Sequence, residues 1–391
     1  AQCTRSLGKN DVIIGISQSG ETKDLIDVFS FLEEKYPQAR RICILNNTNS
    51  TLALEKSHLY VPLFCGPEIA VPATKSFLNQ LLVLYALALE VKTSLEKAGE
   101  KNTGDGMPAS FHLEEMMKIP GLIDMTLKTT QQETEMVAEQ LYLKPSMHIL
   151  ATRILGIAKE GALKVREIVL NHTEGFEGSE FKHGPNTILG LNSIFGLDSI
   201  GELMTRLEEV LNFVLEHKKG EPLKPRGVLR MFKAISEYAF KDLKPTYLSN
   251  EEKEIFDEVF KNFNIFGSLY DNYPLVFITT PRERDINLTI SQINTHKIRG
   301  ANVYLIAEDN NDLREAVSVT PSSAFPYKYG YIVIPKTGSK IISIFAITVV
   351  LQMLAFRMSL KKMQFMDRLE IANHGVHPDV PKNVSKSITV D

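Results

Sequence analysis

Short apolar runs alternate with amphipathic helical stretches in two parts of this chain. In the first part, an apolar run from Val12 to Ser17 ends in the loop SQSGET, which continues directly into a helical pattern. Two more apolar runs and a long apolar helix follow, and the same order returns from Leu275 onward. Strands that alternate with helices form parallel sheets covered on both faces. The sequence therefore predicts an α/β fold with two doubly wound parallel-sheet units.

The length of the chain, 391 residues, also predicts about two domains. We expect a first unit in residues 1–110, which is incomplete at its N-terminus, and a helical linker in residues 111–145. The second unit is expected in residues 146–380, followed by a C-terminal tail in residues 381–391. The stretch of about 191–270 is rich in Lys and Glu and has helical apolar spacing, which predicts a helical insertion within the second unit.

The composition predicts a soluble cytoplasmic protein. A net charge of -3 gives no electrostatic attraction to nucleic acid. Cys3, Cys43 and Cys65 have neither metal-site nor disulfide spacing, which favours a reducing compartment. The N-terminus lacks the apolar core of a signal peptide. The apolar window from Ile341 to Phe356 is shorter than the roughly 20 residues of a membrane span, so we expect a buried helix and no membrane partner.

The loop SQSGET has the features of a phosphate-binding loop. The N-terminus of a helix presents unpaired backbone N–H groups and a positive dipole end, which together suit an anion. Hydroxyl groups of Ser17, Ser19 and Thr22 and the amide of Gln18 add donors, and Gly20 lets the backbone approach a ligand. The alternative is an ordinary helix cap made by Ser19 or Thr22.

A second concentration of polar residues lies in GALKVREIVLNHTEGFEGSEFKHGP. Lys164 and Glu167 are three residues apart and share a helix face, and a helix break must follow because Gly175 and Gly178 interrupt the pattern. His183 precedes Gly-Pro in an exposed loop, where it suits acid–base chemistry near neutral pH. The alternative is a surface ion pair and a turn histidine.

The C-terminal segment contains Lys386, the sixth residue counted from the end of the chain. Ile388 and Val390 alternate with polar residues, so the tail could dock on the protein. A lysine in a pocket of low polarity loses its proton more easily and becomes a nucleophile toward a carbonyl. The alternative is a solvated charge on a fraying tail.

Taken as a set, these motifs resemble the isomerase part of the glucosamine-6-phosphate synthases, or glutamine:fructose-6-phosphate aminotransferases, which contains two sugar-isomerase (SIS) domains. The matching motifs are SQSGET, GPEIAVPATKSF, EGALKVREI, EFKHGP and PKNVSKSITV. The resemblance covers Asp11 to about Gly190 and about Asn272 to Asp391. It implies a transferase and ketol isomerase of hexosamine and UDP-N-acetylglucosamine biosynthesis, which converts fructose 6-phosphate and glutamine-derived ammonia to glucosamine 6-phosphate.

The resemblance also implies partners and substrate-binding residues. It implies a homodimer, an upstream glutaminase domain, and a reaction that requires no metal and no cofactor. The residues that match the family's phosphate-holding loop are Ser17, Gln18, Ser19 and Thr22. Val71 matches a position whose backbone contacts the sugar, as does Ser385 beside the terminal lysine.

Four residues match the family's catalytic positions. Glu167 matches the carboxylate that moves a proton between C1 and C2, and Lys164 is its neighbouring cation. His183 matches the histidine that opens the sugar ring and that belongs to the other subunit. Lys386 matches the lysine that engages the C2 carbonyl of the open-chain sugar.

Departures from the family pattern leave two other classes of function open. The chain lacks the strand that normally opens the first unit and lacks a glutaminase domain, and Pro72-Ala73 and Lys382 replace family residues. One alternative is an ammonia-independent sugar-phosphate isomerase or a deglycase. The other is a non-catalytic sugar-phosphate sensor, against which the retained acid–base residues argue.

Overall fold

The computed structural model describes most of the chain, namely residues 7–8, 10–99, 106–189, 197–216, 225–241, 243–262, 271–322 and 326–379. The strands in these residues are β1 Val12–Ser17, β2 Arg40–Leu45, β3 Leu59–Pro62, β4 Ser146–Ala151, β5 His172–Glu177, β6 Tyr273–Ile278, β7 Ala301–Glu308 and β8 Tyr329–Ile334. The α-helices are α1 Lys23–Lys35, α2 Lys75–Lys97, α3 Ala109–Met117, α4 Ile119–Thr129, α5 Gln131–Leu141, α6 Leu155–Ile168, α7 Gly178–Phe181, α8 Leu197–Glu216, α9 Pro225–Lys241, α10 Asn250–Asn262, α11 Glu283–Ile298, α12 Asn311–Ser318 and α13 Lys340–Arg368.

The first sheet is parallel, with the strand order β1-β2-β3. Helix α1 packs on one face through Phe29 and Leu32, which are buried against Cys43 and Leu45 of β2. Gly15 of β1 lets the helix come this close, because a β-carbon there would lie 2.7 Å from the Phe29 ring. All three strands end at the same edge of the sheet, where the SQSGET loop lies.

The second sheet is also parallel, with the strand order β5-β4-β6-β7-β8. Numbered within this unit the order is 2-1-3-4-5, which is a doubly wound arrangement. Side chains of β6 alternate between its two faces: Val276 and Ile278 join the core that contains α6 and α13, whereas Leu275 and Phe277 join the core that contains α11. The predicted fold class is therefore confirmed.

Helix α13 fills the centre of the larger core. By length and composition this helix, Lys340–Arg368, could cross a membrane, but 67% of its most apolar 18-residue stretch is buried inside the protein. Phe345, Val350 and Leu354 pack against the second sheet and α6. The predicted buried helix is present and extends beyond the predicted apolar window, because its last turns pack beside α5 and α6.

Two helical regions differ in detail from the sequence-based expectation. The linker consists of the three helices α3, α4 and α5, with Pro120 in the first turn of α4. The region between β5 and β6 forms α8, α9 and α10, whose side chains, including Val210, Met231 and Phe256, build a small apolar core of their own. The limits proposed for the domains remain a prediction.

Strand β5 was not expected from the sequence. The glycines at 175 and 178 predicted only a helix break, yet residues His172–Glu177 pair with β4 at the edge of the second sheet. Gly175 is needed there because a β-carbon would lie 2.5 Å from the backbone nitrogen of Lys159. The glycine thus permits a close approach of α6 to the sheet instead of ending regular structure.

Candidate active site

The SQSGET loop folds back on itself at the end of β1. The buried hydroxyl of Ser17 accepts a hydrogen bond from the backbone N–H of Gly20 at 2.9 Å and is also hydrogen-bonded to the Thr22 hydroxyl at 2.9 Å. Gly20 has a φ of +70°, in the left-handed region that glycine adopts without strain. Thr22 occupies the position before α1, but its hydroxyl does not cap the helix. The alternative of a side-chain cap by Thr22 is therefore wrong.

Contacts with the end of β2 hold this loop in place. The carboxylate of Glu21 accepts hydrogen bonds from the backbone N–H of Thr51 at 2.8 Å and from its hydroxyl at 2.9 Å. The backbone N–H of Asn46 donates to the Gln18 carbonyl at 3.2 Å. Both ends of the loop are therefore tied to residues of the segment that follows β2.

An open cleft of about 690 Å³ lies at the carboxyl ends of the first sheet. Its polar lining is formed by Gln18, Ser19, Asn46, Asn47, Thr48 and Glu68. Phe64 also lines the cleft and is 89% exposed. Ligands of open α/β sheets bind outside the carboxyl ends of the strands, so the cleft has the location of a substrate site.

Glu68 fixes the loop between β3 and α2. Its carboxylate accepts hydrogen bonds from the backbone N–H groups of Thr74 at 2.6 Å and Lys75 at 3.1 Å, and from the hydroxyl of Ser76. This arrangement satisfies donors at the start of α2 with a negative charge. Val71 is half-buried within the same loop, between Glu68 and the helix.

Helix α6 carries a buried charged cluster. The Nζ atom of Lys164 lies 2.8 Å from Oε2 of Glu167 and 3.3 Å from Oε1 of Glu160. The Lys164 side chain is only 3% exposed, so the alternative of a surface ion pair is wrong. The three residues have helical spacing that places them on one face of α6.

The charge of Glu68, which lines the first-sheet cleft, acts on this cluster. Burial raises the pKa of the Glu160 carboxyl, Lys164 opposes the rise, and the negative charges of Glu167 and Glu68 add to it. The effect of Glu68 requires that the loop lining the cleft lies near α6. Elements of both units therefore contribute to one polar region.

The structure does not bring all the predicted residues into this region. His183 is exposed in the turn after α7, where its backbone N–H donates to the Glu180 carbonyl at 3.0 Å. In the part of the chain that the structure describes, the imidazole of His183 makes no hydrogen bond or ion pair. Ser385 and Lys386 lie outside the described residues.

Two residues of the cluster were not identified from the sequence. Glu160 precedes Lys164 by one helical turn. This spacing could have indicated that Glu160 and Glu167 both pair with the ammonium group of Lys164. Glu68 lies in the GPEIAVPATKSF motif, but nothing local predicts that its side chain folds onto the start of α2. The sequence offers no signal for its proximity to Glu160.

Comparison with protein families identifies the first unit. Residues 4–90 match the model of the SIS domain family. The first unit is a SIS domain. The resemblance to glutamine–fructose-6-phosphate aminotransferases is likewise confirmed: the chain is 36% identical over 208 residues to such a protein from Aquifex aeolicus and 34% identical over 191 residues to one from Nostoc sp..

These alignments cover 51% and 47% of this chain but only 32% and 29% of the relatives. The chain thus corresponds to about a third of their length.

Solved structures share the SIS architecture. The C-terminal domain of glucosamine-fructose-6-phosphate aminotransferase from Francisella tularensis has a TM-score of 0.59 at 20% identity, covering 92% of this chain and 74% of that one. The tagatose-6-phosphate ketose/aldose isomerase from Escherichia coli has a TM-score of 0.52 at 12% identity, covering 94% and 70%. At these identities the similarity shows the fold.

Proposed function

We propose that this chain is the isomerase part of a glutamine:fructose-6-phosphate aminotransferase, which makes glucosamine 6-phosphate from fructose 6-phosphate and ammonia. The observation that carries the proposal is the occurrence in one chain of a cleft at the hydrogen-bonded SQSGET loop and of a Lys164–Glu167 pair whose lysine is buried. The relatives from Aquifex aeolicus and Nostoc sp. are both named glutamine–fructose-6-phosphate aminotransferases, which favours this reaction over other reactions of sugar phosphates. A glutaminase domain upstream and a homodimer are part of the same proposal.

The phosphate of the substrate binds in the SQSGET loop. Ser17, Gln18, Ser19 and Thr22 supply side-chain donors beside the start of α1, whose dipole favours an anion. The backbone near Val71, on the loop that Glu68 fixes, contacts the sugar. Binding of the remote phosphate holds C1 and C2 against the catalytic groups, which converts binding free energy into orientation.

Proton transfer is the task of Glu167. After His183 of a neighbouring subunit opens the ring, ammonia adds to the C2 carbonyl and water leaves, which gives an imine. Glu167 then takes the C1 proton, the C–H electron pair forms a C1–C2 double bond, and the C=N pair moves to nitrogen, which takes up a proton. Return of the proton to C2, with loss of the O1 proton, gives the aldehyde of glucosamine 6-phosphate. The ammonium of Lys164 stabilises the negative charge that develops on O1 as its proton is lost.

The geometry of the described C-terminus supports a role for Lys386 and Ser385. A β-carbon at Gly375 would lie 3.5 Å from Cδ1 of Leu170, which follows Glu167 by three residues. The chain therefore leaves α13 near the end of α6 that carries Glu167. The eleven residues from Gly375 to Lys386 can span up to about 36 Å when extended, so Lys386 can reach the C2 carbonyl.

Exchange of the C1 proton of fructose 6-phosphate with D2O, followed by NMR, tests the proposal. In the presence of ammonia, we expect exchange by the wild-type chain and its loss in Glu167→Gln, with binding of fructose 6-phosphate retained. Lys159→Gln, an exposed change on the same helix, is the matched control and should exchange normally. Glucosamine 6-phosphate should form with ammonia, and with glutamine once the glutaminase domain is present.

Other results would favour the other classes of function. Binding without exchange in the wild-type protein would indicate a sugar-phosphate sensor. Exchange without incorporation of nitrogen from either donor would indicate an ammonia-independent isomerase. The buried Lys164–Glu167 pair argues against the sensor, because phosphate recognition does not require it.

A further inference from the structure

The helix that leads to the C-terminal tail is bound to the end of α6. In the last part of α13, the Ser359 hydroxyl donates a hydrogen bond to the Ile168 carbonyl at 2.7 Å. The Lys362 ammonium donates to the Val169 carbonyl at 2.9 Å, and both side chains of α13 are buried. Ile168 and Val169 directly follow Glu167 in the sequence. The helix that precedes the tail and the helix that carries the proposed base therefore pack as one unit.

The chain turns sharply after α13. Within residues 369–376, which we call the C-terminal turn, Glu370 has a φ of +56° and Gly375 a φ of +72°. Glycine adopts this left-handed conformation without strain, but a glutamate does so only where its surroundings hold it. Val376 is 3% exposed, and a β-carbon on Gly375 would lie 3.5 Å from Cδ1 of Leu170. The C-terminal turn thus brings the chain back to the end of α6.

His374 connects the last turn of α13 to the C-terminal turn. Its Nδ1 atom accepts a hydrogen bond from the backbone N–H of Val376 at 3.1 Å. Its Nε2 atom lies 3.1 Å from Oδ1 of Asp367. Because Nδ1 accepts, the ring proton is on Nε2, which donates to the carboxylate. Asp367 therefore orients the imidazole, whose side chain is only 15% exposed, so that Nδ1 faces Val376.

The C-terminal turn sets the point from which the tail extends. Lys386 lies ten positions beyond Val376 but eighteen positions beyond Arg368, the last residue of α13. If the turn is released, the last fixed residue moves back to the end of the helix. The effective concentration of a tethered group falls with about the −3/2 power of the tether length, so release lowers it about two- to threefold.

We propose that His374 is a positioning residue: by accepting the N–H of Val376 it holds the C-terminal turn against α6, so that the tail presents Lys386 to the C2 carbonyl of the sugar. This inference rests on the proposed function and assigns His374 no contact with the substrate. An asparagine side chain can accept the N–H two residues ahead, as in an Asx-turn. His374→Asn should therefore keep the turn, whereas His374→Ala should release it.

The test compares both variants with the wild type in the full chain. Gln364→Ala, an exposed change on α13, is the matched control. Glucosamine 6-phosphate formation with ammonia gives kcat and KM, and hydrogen exchange followed by mass spectrometry reports on the turn. In His374→Ala we expect kcat to fall about two- to threefold, with the KM for fructose 6-phosphate within about twofold of wild type because the SQSGET loop is unchanged.

The change in hydrogen exchange should be local. Residues 369–379 should exchange faster in His374→Ala, while residues 155–168 of α6 exchange as in the wild type. His374→Asn and Gln364→Ala should match the wild type in kcat and in exchange. Thermal melts show whether each variant is folded. If His374→Ala is unfolded at the assay temperature, His374→Leu, which keeps the bulk but has no acceptor, takes its place with the same expected result.

A wild-type kcat in His374→Ala would overturn the inference, as would a reduced kcat that His374→Asn does not restore. Faster exchange in residues 155–168 as well as 369–379 would indicate general loosening of the second unit, which also contradicts a positioning role. Absence of product with the wild-type protein would overturn the proposed function instead, and the exchange of residues 369–379 would still show whether His374 holds the turn.

Discussion

Gly20 of the SQSGET loop lies directly against Ser50. A β-carbon built on Gly20 would be 1.9 Å from Oγ and 2.5 Å from Cβ of Ser50. The side chain of Ser50 is buried, and the carbonyl of Gly20 accepts a hydrogen bond from the backbone N–H of Leu52 at 3.2 Å. Position 20 therefore requires glycine, because a side chain would collide with Ser50 and because the backbone adopts the left-handed conformation there.

Replacement of Gly20 should disrupt phosphate binding. In Gly20→Ala the left-handed conformation becomes strained and the added methyl group collides with Ser50, at a cost of about 1–3 kcal/mol. We expect fructose 6-phosphate to bind at least about tenfold more weakly in isothermal titration calorimetry. Gly121→Ala, in helix α4, is the control, since a β-carbon there meets no atom within 4 Å. Unchanged affinity in Gly20→Ala would place the phosphate elsewhere.

Cys65 should report on occupancy of the cleft. Its thiol donates a hydrogen bond to Oδ1 of Asn46, which lines the cleft, at 3.0 Å. Cys43 is buried, and burial raises the pKa of its thiol. We expect iodoacetamide to label Cys65 faster than Cys43 in a Cys3→Ser protein, and fructose 6-phosphate to slow the labelling, as measured by mass spectrometry. Equal labelling with and without the sugar would contradict the proposed ligand position.

Complementation should reveal whether His183 acts in a neighbouring subunit. Glu167→Gln and His183→Ala chains should each be inactive alone. After mixing and subunit exchange, half of the dimers are mixed and each contains one intact site, so about a quarter of the wild-type activity should return. Recovery of activity is measured by glucosamine 6-phosphate formation. Without recovery, each site is built within one chain.

Buried histidines should make the stability of the protein dependent on pH. His296 is fully buried between the rings of Phe181 and Phe277, and neither of its ring nitrogens has a hydrogen-bond partner in the described residues. Burial lowers the pKa of His296 to about 4. The unfolded chain therefore binds more protons than the folded chain between pH 6.5 and 4, and the free energy of unfolding should fall by about 3 kcal/mol as the pH drops through that window.

Urea unfolding of His296→Leu measures this contribution. The variant should lose part of the pH dependence and be at least as stable as the wild type near pH 5, because an unpaired buried polar ring is replaced by an apolar side chain. His377→Gln, at an exposed position, should keep the wild-type profile. Parallel curves for wild type and His296→Leu between pH 7.5 and 4.5 would contradict the expected linkage.

Much of the fold follows from local pattern. Strand β1 begins and ends with the apolar run from Val12 to Ser17, and α1 directly follows the SQSGET loop as predicted, because apolar runs and amphipathic spacing are properties of neighbouring residues. The same holds for the SQSGET loop, whose serine hydroxyls and glycine have local partners. Strand β5 was not predicted. The glycine at position 175 is needed because the strand lies close to α6, and residues next to Gly175 in the sequence do not indicate that contact.

By itself the sequence determined the α/β class, the position of the SQSGET loop between β1 and α1, and the Lys164–Glu167 pair, since each depends on residues within about one helical turn or one loop of each other. Only the tertiary structure decided that Lys164 is buried and paired with Glu160 as well as Glu167, and that the charge of Glu68 helps to raise the pKa of Glu160. Burial and long-range charge depend on how two sheets and their helices pack, and this packing is set by contacts between residues far apart in the chain.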